Sequence, residues 1–322
     1  MKLLVLGGTR FVGRAVVTDA LARGWDVTAL HRGVTGSTPC PTLHADRTDP
    51  AALAAALQGT QWDAVIDTWS AAPKVVQLAA RTISTQRFAY VSSLSVYVEG
   101  RPAGGNESWP TVDGTPGADK TDYAADKRGG ELAALESHPS ALLGRAGLIL
   151  GPHEDIGRLP WWLDRCARGG RVVAPGRPEA PLQFVDARDL ATWLCDGLAD
   201  DRTGAVDLTS PTIAFGGLLS AVVEATGGTA ELVWVPEAEV LAAGAEPWTQ
   251  LPCWVPENEE FAGFMEGDTS QAIATGLRTR PVGDTVRDTW TWLQEAGMPV
   301  QRSDRPAHGL PENLERELLA GR

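Results

Sequence analysis

Leu3-Leu4-Val5-Leu6-Gly7-Gly8-Thr9-Arg10-Phe11-Val12-Gly13 opens the chain with an apolar run, a glycine-rich turn and the start of an amphipathic stretch that extends to Arg23. An apolar run bounded by glycine predicts a buried parallel strand, and the helical periodicity from Val12 onward predicts a helix. Gly7 and Gly13 would let the backbone turn sharply and let a phosphate approach the helix N-terminus, where free N–H groups and the dipole favour anions. An ordinary strand-to-helix turn has the same look, so the loop gains its meaning from the downstream segments.

Strand and helix signals keep alternating. Strands are expected at 26–30, 63–68, 87–92 and 140–150, and helices near 51–57, 74–83 and 121–135. Strands separated by helical patterns make βαβ units, and hence a parallel sheet covered on both faces. Beyond Gly151-Pro152 the segments shorten, and eight of the twelve tryptophans lie there. Leu182–Asp186 reads as a strand running into a helix with Asp186 as N-cap, and 204–208 as one more strand of the main sheet. A terminal amphipathic helix is expected at 282–295, followed by a polar, partly ordered tail after Pro299. The expected architecture is α/β: a doubly wound parallel sheet over 1–150 plus about 182–210, and a smaller C-terminal substrate lobe over 151–181 and 211–322. The cleft between them is the expected site.

The 322 residues are 43% hydrophobic and 21% charged, with a formal net charge of −13. That charge argues against a polyanionic partner, so no nucleic acid is expected. The four cysteines form no C-x-x-C pair and the five histidines no cluster, so neither a metal nor a disulfide framework is expected. No apolar run is long enough to span a bilayer, and no charged leader precedes the first strand, so a cytoplasmic location and no membrane partner are expected. The expected assembly is a monomer or homodimer.

Tyr123-Ala124-Ala125-Asp126-Lys127 puts a phenol and an ammonium on one helix face. With three tyrosines and four lysines in the chain, chance supplies about 0.04 such pairs. The bland reading is a surface tyrosine on a lysine stem. Ser92-Ser93, ending the fourth strand, makes the chemical reading the better one. A phenol titrates near 10, too high for efficient proton transfer at neutral pH, and a neighbouring ammonium favours its ionised form. A serine hydroxyl within reach of the same substrate oxygen can share its developing charge.

These segments resemble those of the extended or atypical short-chain dehydrogenases/reductases, proteins usually described as NAD-dependent epimerases/dehydratases. The resemblance covers nearly the whole chain. It rests on Gly7–Gly13, on Tyr90-Val91-Ser92-Ser93-Leu94-Ser95-Val96-Tyr97, on Tyr123–Lys127 and on Phe184-Val185-Asp186-Ala187-Arg188-Asp189-Leu190. It implies a Rossmann-type fold, with Ser93 as catalytic hydroxyl, Tyr123 as acid/base, and Lys127 holding the nicotinamide ribose. It further implies a cofactor held by Gly7, Thr9, Arg10, Phe11, Val12 and Gly13, with Asp46 and Arg47 near the adenine and Thr68 lining the site.

The departures from the family pattern are informative. Arg10 replaces the middle glycine and could reach a phosphate on the adenosine ribose. His31-Arg32 replaces the acidic residue that accepts the ribose hydroxyls, so NADP(H) is predicted over NAD(H). Leu94-Ser95 replaces a dehydratase's Asp-Glu pair, and Leu182 an arginine that grips the nucleotide-sugar diphosphate. The expected activity is therefore that of an NADP(H)-dependent oxidoreductase acting on a small or aromatic carbonyl/alcohol substrate. A sugar epimerase/dehydratase, or a non-catalytic dinucleotide- or RNA-binding relative, is the alternative. Trp69, Trp161 and Trp162 are the expected aromatic contacts to substrate. Arg145 and Arg158 are each open to two readings, a substrate carboxylate or a plain ion pair.

Overall fold

In the computed structural model, which describes residues 1–259, 261–300, 306 and 308–322, the first strand already divides the interior in two. β1 (Lys2–Leu6) sends Leu3 and Val5 into one core and Leu4 and Leu6 into another. This is the two-residue alternation of a strand buried on both faces. The chain continues through α1 (Phe11–Ala22), β2 (Asp26–His31), β3 (Thr42–His44), α2 (Pro50–Leu57), β4 (Gln61–Asp67), α3 (Pro73–Thr82) and β5 (Ser84–Ser93). A 3-10 turn (Leu94–Val96) and a long loop lead to α4 (Tyr123–Ser137), β6 (Leu142–Ala146) and β7 (Leu148–Leu150). Then come α5 (Arg158–Ala167), β8 (Gly170–Pro175), β9 (Pro181–Leu182), β10 (Phe184–Asp186), α6 (Ala187–Ala199) and β11 (Gly204–Leu208). The remainder is β12 (Ile213–Ala214), α7 (Phe215–Ala225), β13 (Ala230–Val235), α8 (Glu237–Ala242), α9 (Ser270–Ala274), α10 (Val282–Ala296) and α11 (Glu312–Leu319).

Seven strands form one parallel sheet in the order β11-β6-β5-β4-β1-β2-β3, the Rossmann-type doubly wound arrangement. Val16 and Val17 of α1 and Leu190 and Leu194 of α6 cover one face. Leu53 of α2, Val76 and Ala79 of α3, and Ala133 and Ala134 of α4 cover the other. Strand order reverses between β1 and β4, so their carboxyl ends open a crevice at Gly7 and Thr68. A third core holds Leu159, Trp162 and Cys166 of α5 with Phe215 and Leu218 of α7, Val172 of β8, Val235 of β13 and Val286 of α10.

The structure differs from the sequence expectations at several places, among them the strand expected over Leu182–Asp186, which splits at Gln183 into β9, paired with β12, and β10, paired with β7. The strand expected over 140–150 breaks at Gly147, after which β7 leaves the main sheet to pair with β10. The polar stretch after Gly33 contains a seventh strand, β3, too short to show a pattern. β8 and β13 pair in parallel outside the main sheet, where no strand was expected. The tail also carries a helix: α11 buries Leu318 and anchors through Glu315, whose carboxylate accepts from Arg165 Nε at 2.8 and 3.0 Å. Tail residues 301–305 and 307 lie outside the described residues. Asp186 caps α6 as expected, accepting from Arg188 N at 2.8 Å. Among the described residues no helix is long and apolar enough to cross a membrane, and no His/Cys/Asp/Glu group could hold a metal ion.

Candidate active site

Close backbone contact at the opening loop is what glycine makes available there. Gly7 has φ +123°, and a Cβ on it would stand 2.4 Å from Thr68 Oγ1, which donates to Leu6 O at 2.9 Å. A Cβ on Gly13 would stand 2.5 Å from Gly8 N. The loop therefore packs its backbone against the first turn of α1, whose leading N–H groups have no partner within the helix. Such a cradle fits a diphosphate. Gly13→Ala is expected to weaken dinucleotide binding by about tenfold or more without unfolding the sheet, measured by calorimetric titration beside a thermal melt.

A cavity of about 730 Å³ begins at Arg10, Phe11, Val12 and Gly13 and runs past Thr68, Ser93, Tyr123 and Lys127. Three elements meet there. Tyr123 is the first residue of α4, whose cap Asp122 accepts from Ala125 N at 2.9 Å, and it is half-exposed toward the cavity. Lys127 follows one turn later and is buried, with Nζ donating to Trp69 O at 2.9 Å and Val91 O at 2.6 Å. It reaches those carbonyls because Gly130 lets α4 press onto β5; a Cβ there would stand 2.4 Å from Tyr90 Oη. Ser93 ends β5 and starts the 3-10 turn, its Oγ accepting from Ser95 N at 3.1 Å.

Behind this front lies a buried ionic chain. Glu131, one turn after Lys127, accepts from Ser92 Oγ at 2.7 Å and from Arg145 Nε and Nη2 at 2.8 and 2.9 Å. Arg145 also donates to Tyr97 Oη at 2.8 Å, and Tyr97 donates to Asp207 at 2.6 Å. Burial pushes the Glu131 carboxyl up, but Arg145, Ser92 and Arg128 outweigh it and hold it below the usual carboxylate range. Sequence reasoning missed Glu131; its spacing from Lys127 on one helix face was the available signal.

At the other end of the crevice, Thr9 Oγ1 lies 2.8 Å from Thr35 Oγ1, joining the opening loop to the segment after β2. His31 ends β2 with Nδ1 accepting from Gly33 N at 3.0 Å, and burial and His44 lower its pKa below the ordinary imidazole value. Arg32 beside it is exposed. Asp46 accepts from Thr48 N at 2.9 Å and Thr48 Oγ1 at 2.7 Å, contacts that lower its pKa.

Five residues are used differently from the sequence expectation. Arg10 is engaged by a carboxylate: its Nη1 donates to Asp155, which also lines the cavity, at 2.9 Å. Arg47 is turned inward as a bidentate partner of buried Asp67, at 2.8 and 2.5 Å. Trp69 lies under the Arg47 guanidinium with Nε1 donating to Ala72 O, and serves Lys127 through its backbone carbonyl. Trp162 is fully buried with Nε1 donating to Pro252 O at 2.7 Å. Trp161 packs edge-on against Trp162, and Gly309 from the C-terminal segment covers it. Neither of those two lines the cavity. The aromatic wall is instead Trp248, Phe261 and Phe264, in a segment without helical or strand periodicity to single them out. Arg145 takes the ion-pair reading; Arg158 lines the cavity.

A model of the NAD-dependent epimerase/dehydratase family matches residues 3–83 and 74–205, more than half of the chain. No curated protein sequence matches it. Among solved structures, the chain is similar to the Bordetella bronchiseptica enzyme WbmH in complex with NAD+ (20% identity, 92% of this chain and 100% of that one, TM-score 0.70). It is also similar to the Thermus thermophilus UDP-glucose 4-epimerase in complex with NAD (20% identity, 92% and 100%, TM-score 0.65). A third is the Bacillus cereus UDP-N-acetylglucosamine 4-epimerase (15% identity, 91% and 99%, TM-score 0.68). At such identities these likenesses speak for the fold.

Proposed function

Because the chain belongs to the NAD-dependent epimerase/dehydratase family, we propose that its cavity carries out dinucleotide-dependent hydride transfer at a carbinol carbon of a small molecule. The observation that carries this reading is that Ser93, Tyr123 and Lys127, from two separate elements, line one cavity continuous with the glycine loop. Gly7–Gly13, Arg32, Asp46, Thr68, Tyr123 and Lys127 would hold the dinucleotide. When bound, it supplies the hydride acceptor or donor.

Tyr123 gives or takes the proton on the substrate oxygen, Ser93 orients that oxygen, and the Lys127 ammonium stabilises negative charge developing on the phenol. Arg10 and Asp155 form an ion pair on the cavity lining. Family membership and the epimerase neighbours support the outcome in which the substrate leaves with inverted configuration. The second outcome, net reduction or oxidation, is favoured by Leu182, fully buried where a diphosphate clamp would need an arginine. Product analysis by NMR with stoichiometric and with catalytic dinucleotide separates them. An epimerase converts many equivalents of substrate, whereas net redox stops with the dinucleotide.

The same crevice supports NADP(H) as the preferred form. His31 and exposed Arg32 themselves bring no carboxylate to the end of β2, where a 2′-phosphate would lie, and Arg32 is a cation close enough to Asp46 to lower its pKa. Arg32→Asp is expected to shift the NADP+/NAD+ affinity ratio toward NAD+ by about tenfold or more. An unchanged ratio in parallel titrations overturns the preference.

A further inference from the structure

Around the cavity, most arginines already face a carboxylate: Arg10 faces Asp155, Arg101 faces Asp207 and Arg145 faces Glu131. Arg158, at the first residue of α5, is different. Its guanidinium lies 5.2 Å from the Trp248 ring centroid and lines the cavity. Among the described residues its side chain has no hydrogen-bond or ion-pair partner, and its Nε is buried without an acceptor. The neighbouring acid, Glu154, directs its oxygens to the backbone N–H groups of Arg158 and Leu159, at 2.7 and 3.2 Å. Of the acids lining the cavity, Asp155 is engaged by Arg10 and Glu99 is exposed. The Arg158 charge acts on the buried Glu154 carboxyl, whose pKa burial raises to about 7, but no carboxylate oxygen is hydrogen-bonded to the guanidinium, so its donors remain open to a bound anion.

The wall next to it is aromatic and fixed. Trp248 meets Phe264 edge-on at 5.6 Å, and Phe264 meets Phe261 at 6.1 Å. The segment carrying the phenylalanines is pinned to the loop after β5, where Gly104 N donates to Glu266 O at 2.7 Å and Asp268 N to Gly105 O at 2.8 Å. Gly263 packs so closely that a Cβ would stand 2.4 Å from the Pro102 carbonyl carbon.

Resting on the reading of this cavity as the reaction site, we propose that its substrate is a small ring-bearing carboxylate, the carboxylate paired with Arg158 and one apolar ring face against Trp248 and Phe264. One guanidinium with no hydrogen-bonded carboxylate suits one carboxylate, whereas a diphosphate spreads its charge over several oxygens and would meet the fully buried Leu182 on β9. The ring can be aromatic, or a pyranose whose C–H face is apolar. Both chemistries share the anchor.

The test is ligand-observed NMR and calorimetry on the intact protein with NADP+ present, using hydrocinnamate, its amide, D-glucuronate and D-glucuronamide as probes. At least one carboxylate is expected to bind about tenfold tighter than its amide, and Arg158→Met to bring that ratio close to one. Arg158→Lys, which keeps the charge, should lower the ratio severalfold and decides the matter if the methionine variant does not fold. Trp248→Leu should weaken acid and amide alike. Preference for hydrocinnamate assigns an aryl acid, and preference for glucuronate a sugar acid. The proposal is overturned if acid and amide bind equally, if no probe binds by about 10 mM, or if both Arg158 variants keep the wild-type ratio. Because this readout needs no turnover, a failed hydride-transfer reading would leave acid selectivity intact and be recognised as a separate failure.

Discussion

Tyr123→Phe is expected to lower turnover by about 10²–10⁴-fold, the range of a lost general acid/base, with dinucleotide affinity within about twofold of wild type. The residue is half-exposed at the start of α4, and the Asp122 cap and the buried Lys127 do not depend on its hydroxyl. Stability should therefore change by less than about 0.5 kcal/mol. A loss in kcat without a matching rise in the dinucleotide Kd is the signature of a group acting in the chemical step. Equal loss of binding and rate would make Tyr123 a mere cofactor contact, and unchanged turnover would remove it from the chemistry. Steady-state rates on wild type and variant, with dinucleotide affinities titrated separately, give both numbers.

Glu131→Ala should cost about 3–5 kcal/mol of folding stability, the range for removing one partner of a buried ion pair. The change strands the Arg145 guanidinium beside Tyr97 and leaves Ser92 Oγ without its acceptor. It also loosens the seat of α4 on β5, on which the place of Lys127 depends. Its pH dependence has a definite sign. The folded-state pKa of Glu131 lies below its unfolded value, so its contribution is fully present above the ordinary carboxylate range and is lost as pH falls through the depressed folded value. Denaturant melts at neutral pH should show the full gap between wild type and variant, and melts in acid a narrowing one. A gap that widens in acid would contradict the assignment.

Much of the sheet was legible because most of its strands are buried on both faces and, β3 apart, alternate with helices. β1, β2, β4 and β11 show themselves through apolar runs, and α1 through periodicity. The glycine-rich loop and the Tyr123–Lys127 pair are local in sequence, and the shared face of the pair followed from helix geometry alone. What could not be read depends on tertiary contacts. Arg10 finds Asp155 only because two distant loops meet at the cavity mouth. At least one of Trp161 and Trp162 points outward on a helix drawn alone, yet the segment before α11 covers Trp161, and Trp162 is fully buried with Nε1 donating to Pro252 O. Trp248 and Phe264 enter the cavity from irregular segments whose conformation no periodic pattern encodes. Arg145 and Arg158 were equivalent as sequence; burial against Glu131 separates them.

The claim on which the rest depends is that the loop from Gly7 to Gly13 holds a pyridine dinucleotide in the crevice leading to Tyr123 and Lys127. Calorimetric titration of the purified protein with NADP+ and NAD+ tests it without any knowledge of the substrate. One-to-one binding is predicted, with a Kd on the order of micromolar for NADP+ and weaker for NAD+. Absence of binding by either dinucleotide at about 1 mM would contradict it.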